Sequence, residues 1–171
     1  TLFNDFKKGS ELMLKYKSFI SPLNQLFNLD KAAKIYALYD LGKIRHSYHW
    51  HNQRFYYNPS SKKLEHIAFD CYAGIEEGID DVIYGYSSKE TFHNNSVFLT
   101  KQFFNDSAFM NYYKSYLKCF SSIDFIKKID AKYKSSSDSL SKIIKSEFTN
   151  YEFNLSYIEE NAKAIRDTLL V

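Results

Sequence analysis

The sequence predicts a predominantly helical α+β fold with one short antiparallel β-hairpin. Two observations carry that prediction. Apolar residues recur at three- and four-residue steps over most of the chain, and two strand-like runs flank an Asn-Pro turn near its middle. A third, the length of 171 residues, sets the scale: one domain with a core that needs no disulfide or metal staple.

The elements follow in order. Residues 10–20, SELMLKYKSFI, read as a helix with Ser10 as N-cap that stops before the turn Ser21-Pro22. DKAAKIYALYDLG takes Asp30 as N-cap and Gly42 just past its end. Its Ala32, Ala33, Ile35, Tyr36, Ala37, Leu38 and Tyr39 run almost all the way round, the pattern of a central, buried helix. Residues 53–57, QRFYY, and 64–69, LEHIAF, are two strands, with Asn58-Pro59 initiating the turn between them. The stretch CYAGIEEGIDDVIYGYSS holds Gly74, Gly78 and Gly85 and an acidic cluster, and reads as an irregular loop.

Helix returns beyond residue 97. Phe109, Tyr112, Tyr113, Tyr116, Leu117 and Phe120 share one face, behind a cap at Asp106 or Ser107. Their spacing assigns Tyr112, Tyr113 and Tyr116 to packing. Ser121 or Ser122 opens the next helix, with Phe125, Ile126, Ile129 and Tyr133 on one face, and the polar run KSSSDSLSK is expected to break it. The last helix opens with Ser156-x-x-Glu159, a capping box, ahead of Ile158, Ala162, Ile165 and Leu169.

Composition excludes several function classes. A net charge of +3 with scattered lysines is too weak a field for nucleic acid. No apolar run approaches the ~18 residues of a membrane span. Cys71 and Cys119 form no disulfide framework, and read as reduced or as free, buried thiols. Aromatic residues make up 18% of the chain, with 15 Tyr, so many hydroxyls should sit at the core rim or line a cleft.

The densest chemistry lies between residues 46 and 70. His46, His49 and His51 give H-x-x-H-x-H. On a strand, His49 and His51 would share a face, which suits zinc, but the spacing matches no metal signature and includes no carboxylate. A zinc-binding module is therefore a distant reading, and solvated or hydrogen-bonded histidines the nearer one. Asn52 and Asp70 bracket the hairpin, and amide and carboxylate oxygens are the hard ligands that Mg²⁺ takes. Read without context, the same residues are a strand-edge Asn and a turn-capping Asp. Glu76, Glu77, Asp80 and Asp81 could add ligands, although a solvated loop is the plainer reading.

HNQRFYYNPSSKKLEHIAFD resembles the core motif of the CotH family, the spore-coat protein H kinases. His51-Asn52, the aromatic Phe55-Tyr56-Tyr57, Asn58-Pro59, Leu64 and the closing Phe69-Asp70 match that pattern in order. FNLDKAAKIYALYDL, FLTKQFFNDSAFMNYYKSYLK and IEENAKAIRDTL resemble the helices on either side, so the likeness covers roughly residues 26 to 170. The resemblance implies a kinase-like C-lobe and phosphoryl transfer from ATP to a protein hydroxyl, with Mg²⁺ or Mn²⁺. It makes Asn52 and Asp70 the metal and nucleotide residues and gives His51 a part in shaping the catalytic loop. It also leans toward the cell envelope or exterior, with a protein substrate or partner.

The chain departs from that pattern in three places. The family's catalytic Asp stands about five residues before the Asn, and here Ser47 occupies that position; His46 is the available base, since imidazole titrates near neutrality. A second Asp two residues after the first is replaced by Tyr72. No glycine-rich phosphate loop or ATP-binding Lys is evident. The chain thus reads as a C-terminal lobe excised or truncated from something longer, and a catalytically degenerate binding or scaffold module is the alternative to an enzyme.

Overall fold

The computed structural model describes residues 2–71, 98–152 and 155–170, and within them the chain is mostly helical with one two-stranded antiparallel sheet. Helices α1 (Leu2–Lys17), α2 (Leu23–Leu26) and α3 (Leu29–Leu41) precede strands β1 (Arg54–Asn58) and β2 (Lys63–Ile67). Helices α4 (Lys101–Phe104), α5 (Ser107–Phe120), α6 (Ile123–Glu147) and α7 (Ser156–Leu169) follow. The acidic stretch with Tyr72, Glu76, Glu77, Asp80 and Asp81 lies outside the described residues.

Helix α3 is the central element. Its N-cap is Asn28, whose side chain accepts from the Lys31 backbone N–H at 3.2 Å, and not Asp30. Asp30 sits one residue inside the helix and takes the Tyr116 hydroxyl instead, at 2.6 Å. Gly42 does follow the last turn, but with φ −88°, and the left-handed reversal falls on Lys43 at φ 51°. Ala32, Ala33, Tyr36, Ala37 and Tyr39 are all buried, as an apolar circumference requires, and the helix packs chiefly against α5.

Five tyrosines, Tyr16, Tyr36, Tyr39, Tyr48 and Tyr113, are buried at the centre and not at the rim. Partners from distant elements satisfy hydroxyls there: Tyr16 donates to Gln53 Oε1 at 3.3 Å, Tyr48 to the Tyr36 carbonyl at 3.2 Å, and Tyr113 to the Asp40 carboxylate. Burial pushes the hydroxyls of Tyr36 and Tyr48 well above their usual range and that of Tyr39 to about 12. Tyr36 contacts Phe103, Phe104, Phe109 and Tyr48 at centroid distances of 5.2 to 5.7 Å. Edge-to-face and tilted pairs of this kind add to what burial alone supplies.

Helix α1 begins at Leu2 and runs through Gly9 and Ser10, eight residues before the expected start. Gly9 explains why it can lie there. A Cβ at that position would stand 3.1 Å from Tyr57 Cβ, so the missing side chain lets the helix approach the hairpin. Helix α6 likewise ignores the break expected at KSSSDSLSK. Ser139 donates back to the Ser135 carbonyl at 2.8 Å, and Lys134 reaches Asp138 at 3.5 Å, so the polar run satisfies itself within the helix. Asp106 and Ser122 cap α5 and α6 by accepting from the N–H groups of Phe109 and Phe125. The capping box at Ser156 does not form: Ser156 is the first helical residue, behind Leu155. Tyr112, Ile129 and Tyr133 are exposed despite their core spacing, and both cysteines are exposed thiols.

A buried polar knot joins α3, α5 and α7. Asp40, fully buried, takes hydrogen bonds from Arg45 and Tyr113. Asn161 Nδ2 donates to the Asp40 and Leu41 carbonyls at 2.6 and 2.7 Å. Those two carbonyls belong to the last turn of α3, where the Lys43 N–H also reaches the Asp40 carbonyl at 3.2 Å, so α7 adds to the local cap of α3 from a distance.

Candidate functional site

The hairpin builds the site by register. Arg54 pairs with Ile67, Phe55 with His66, Tyr56 with Glu65, Tyr57 with Leu64 and Asn58 with Lys63. At the turn, Asn58 Oδ1 accepts from the Ser60 N–H at 2.9 Å, an Asx turn that fixes the reversal as Asn58-Pro59 predicts. Continuing the ladder backwards from Arg54 and forwards from Ile67 brings Asn52 beside the end of the second strand. Eighteen residues of sequence close to 2.6 Å between Asn52 Nδ2 and Asp70 Oδ2.

The loop before β1 is held from beneath. A 3-10 turn at His46–Tyr48 leads to Asn52, whose N–H donates to the His49 carbonyl at 2.9 Å. Tyr48 is fully buried, its carbonyl accepts from Thr100 Oγ1 at 2.7 Å, and Gln53 Nε2 bonds the same Thr100 side chain. With its inner face anchored, the loop turns His46 and Asn52 toward Asp70. Asn52 Nδ2 also donates to the His46 carbonyl at 3.0 Å, and His46 Nδ1 stands 3.6 Å from Asp70 Oδ2.

Ser47 is buried, and its hydroxyl contacts the Phe69 and Asp70 carbonyls at 2.6 and 2.9 Å. Asp70 has φ 50°, a left-handed conformation that a non-glycine residue adopts at some cost. The Ser47 hydroxyl ties down the backbone at this turn and thereby aims the Asp70 carboxylate. The position where the resemblance places an acid therefore holds a group committed to positioning.

His51 contributes through its main chain: its carbonyl accepts from Arg54 Nη1 at 2.6 Å, while its exposed ring meets His49 edge-on at 5.4 Å. His46, His49 and His51 lie on a turn and not on a strand. Among the described residues no group of three His, Cys, Asp or Glu side chains converges to hold a metal ion.

Sequence reasoning missed three participants. Arg54 lies over the Phe69 ring at 4.4 Å, next to Asp70. Glu65 gathers Lys31 Nζ at 2.6 Å, Asn58 Nδ2 at 2.8 Å and the Tyr56 hydroxyl. Burial alone would raise its carboxyl, but these donors together hold it below its usual range. His66, on β2, is buried against Phe55 and Tyr36 at centroid distances of 4.7 and 5.2 Å, and neither ring nitrogen has a hydrogen-bond partner. Burial lowers its pKa to about 3. For Arg54 and Glu65 the signal was available in the pairing pattern, since each faces its partners once the register is written down. His66 gave none, because strand alternation does not say which face is covered.

The chain matches no protein-family model, no curated protein and no solved structure.

Proposed function

We infer that this chain carries a metal–nucleotide site of the CotH-like, kinase-related kind and has the organisation of a kinase-like C-lobe. The observation that supports this reading is the meeting of Asn52 and Asp70 at the open end of the hairpin. Both Nδ2 protons of Asn52 are spent, one on Asp70 and one on the His46 carbonyl, which leaves its amide oxygen as the group that could take a cation. Neither Asn52 Oδ1 nor Asp70 Oδ1 accepts a hydrogen bond among the described residues.

Two hard oxygen donors and one negative charge suit Mg²⁺ or Mn²⁺ poorly as a bare ion, but well when phosphate oxygens complete the shell. ATP-bound Mg²⁺ is therefore the ligand that fits, with Asn52 and Asp70 as the residues that would hold it. There it would neutralise charge on the phosphates. His46, half-exposed and beside Asp70, is the group placed to accept a proton from an acceptor hydroxyl. Ser47 holds the Asp70 turn, and the Thr100–Gln53–Tyr48 anchor keeps the loop rigid.

A binding module without turnover is the second reading. It is favoured by one observation: the hydroxyl of Ser47 is buried and engaged, so no acid or base is available at that position. Incubation with ATP, Mg²⁺ or Mn²⁺ and protein acceptors separates the two. Phosphate transfer that falls by at least about a hundredfold in Asp70→Ala and in His46→Ala supports the enzyme, given what a positioned base and electrostatic groups contribute. Mg-ATP binding that depends on Asp70 without transfer supports the module. Transfer undiminished in Asp70→Ala would sink the assignment of this site.

A further inference from the structure

We propose that Arg54 is a phosphate-binding residue of this site, a fixed guanidinium that takes the anionic oxygens of the nucleotide beside Asn52 and Asp70. The proposal rests on the metal–nucleotide reading for the identity of the ligand, but its geometry stands independently.

Arg54 is exposed and yet immobilised from two sides. One nitrogen, Nη1, uses both of its protons on the carbonyls of His51 and Gln53, at 2.6 and 3.0 Å. The guanidinium carbon lies over the Phe69 ring, 4.4 Å from its centroid, a cation–π contact that arginine makes more often than lysine. All three residues that hold it thus neighbour the two site residues: His51 and Gln53 flank Asn52, and Phe69 precedes Asp70.

A guanidinium has five N–H donors, and three of them, on Nε and Nη2, find no acceptor among the described residues. Arg54 also makes no ion pair with any described carboxylate, although Asp70 is close by in the chain's path. Surface arginines that serve only solubility keep their rotamer freedom, whereas this one has given it up without gaining a counter-ion. A fork pre-organised in this way matches two oxygens of a phosphate and loses little entropy on binding. Its charge also supplies what the pair Asn52–Asp70 lacks, since a single carboxylate beside a triphosphate would otherwise repel it.

The test is calorimetric titration of the chain with inorganic triphosphate, once with Mg²⁺ and once with EDTA. Wild type should bind in both conditions and more tightly with Mg²⁺. Arg54→Ala should weaken binding about 10- to 100-fold in both, the range expected for lost charge-assisted hydrogen bonds. Arg54→Lys should recover part of that loss, because it restores the charge but not the fork. Asp70→Ala should abolish the Mg²⁺ enhancement alone. If Arg54→Ala binds like wild type in both conditions, or wild type binds in neither, the proposal is overturned. If Mg²⁺ gives no enhancement, or Asp70→Ala keeps it, the metal reading fails, while a loss in Arg54→Ala under EDTA still upholds the anion site. Should Arg54→Ala lose its circular-dichroism signature, Arg54→Lys decides: binding equal to wild type counts against the fork.

Discussion

Helix α3 and the first half of α6 were legible as helices, and the two elements could hardly be used more differently. α3 has 13 residues, eight of them buried, including a carboxylate; α6 has 25 residues and not one buried. α6 carries the stronger apolar-polar contrast along its sides, yet Leu140 and Ile143 on its apolar stripe are exposed. What separates the two is the number of neighbours that close over them. α3 is covered by α5, α7 and β2, while α6 touches α5 near its start. Periodicity tells which residues a helix can bury, and only the surroundings tell whether it does.

That contrast can be broken most severely at Asp40. Asp40→Ala leaves the buried Arg45 guanidinium without its carboxylate and frees the Tyr113 hydroxyl, and should cost about 3–5 kcal/mol in urea unfolding. A loss below about 1 kcal/mol would mean that the knot at the end of α3 is wetter than its burial indicates.

His66 gives the next largest effect. Its folded pKa, about 3, lies below the value of about 6.5 it takes when unfolded. The unfolded chain therefore binds a proton that the folded one refuses. The stability from the neutral ring is fully present above about pH 6.5 and is lost as pH falls toward 3, at up to about 1.4 kcal/mol per pH unit. Between pH 7 and 5 the free energy of unfolding should drop by about 2 kcal/mol more in the wild type than in His66→Phe. Parallel curves would show that the ring is not sealed between α3 and the hairpin.

Ser47→Ala tests the site's own backbone. Removing the hydroxyl from the Phe69 and Asp70 carbonyls should cost about 1 kcal/mol and, under the proposed metal–nucleotide reading, reduce Mg-ATP affinity in the same step, because the Asp70 turn is then less firmly held. At the small end, Leu140→Ser on α6 should shift stability by less than about 0.5 kcal/mol, as for other exposed sites. A shift several times larger would reveal that this stripe is covered in solution.

Much of the site was readable because a hairpin is a local object. Asn58-Pro59 sets the turn, and the alternation of QRFYY against LEHIAF carries Asn52 and Asp70 to the same open end. The misreadings also have local causes. Ser10, Asp30 and Ser156 each have the chemistry of a cap, but caps are chosen by where the chain enters the helix, and Gly9 against Tyr57 and Asn28 ahead of Leu29 moved those entry points. KSSSDSLSK looks like a break by propensity, and within a helix long enough to amortise nucleation its serines and charges bond each other instead.

By itself, then, the sequence determined the helical periods, the hairpin with its two bracketing residues, and the caps of α5 and α6 to within one residue, of which the structure takes Asp106 and Ser122. The tertiary structure alone decided that five tyrosines belong at the centre, that Asp40, Arg45, Tyr113 and Asn161 form one buried knot, and that Ser47 serves the Asp70 backbone. The physical reason is range. Turn chemistry and capping act within three or four residues, whereas burial and the pairing of polar groups are settled by elements up to 121 residues apart, as Asn161 and Asp40 are.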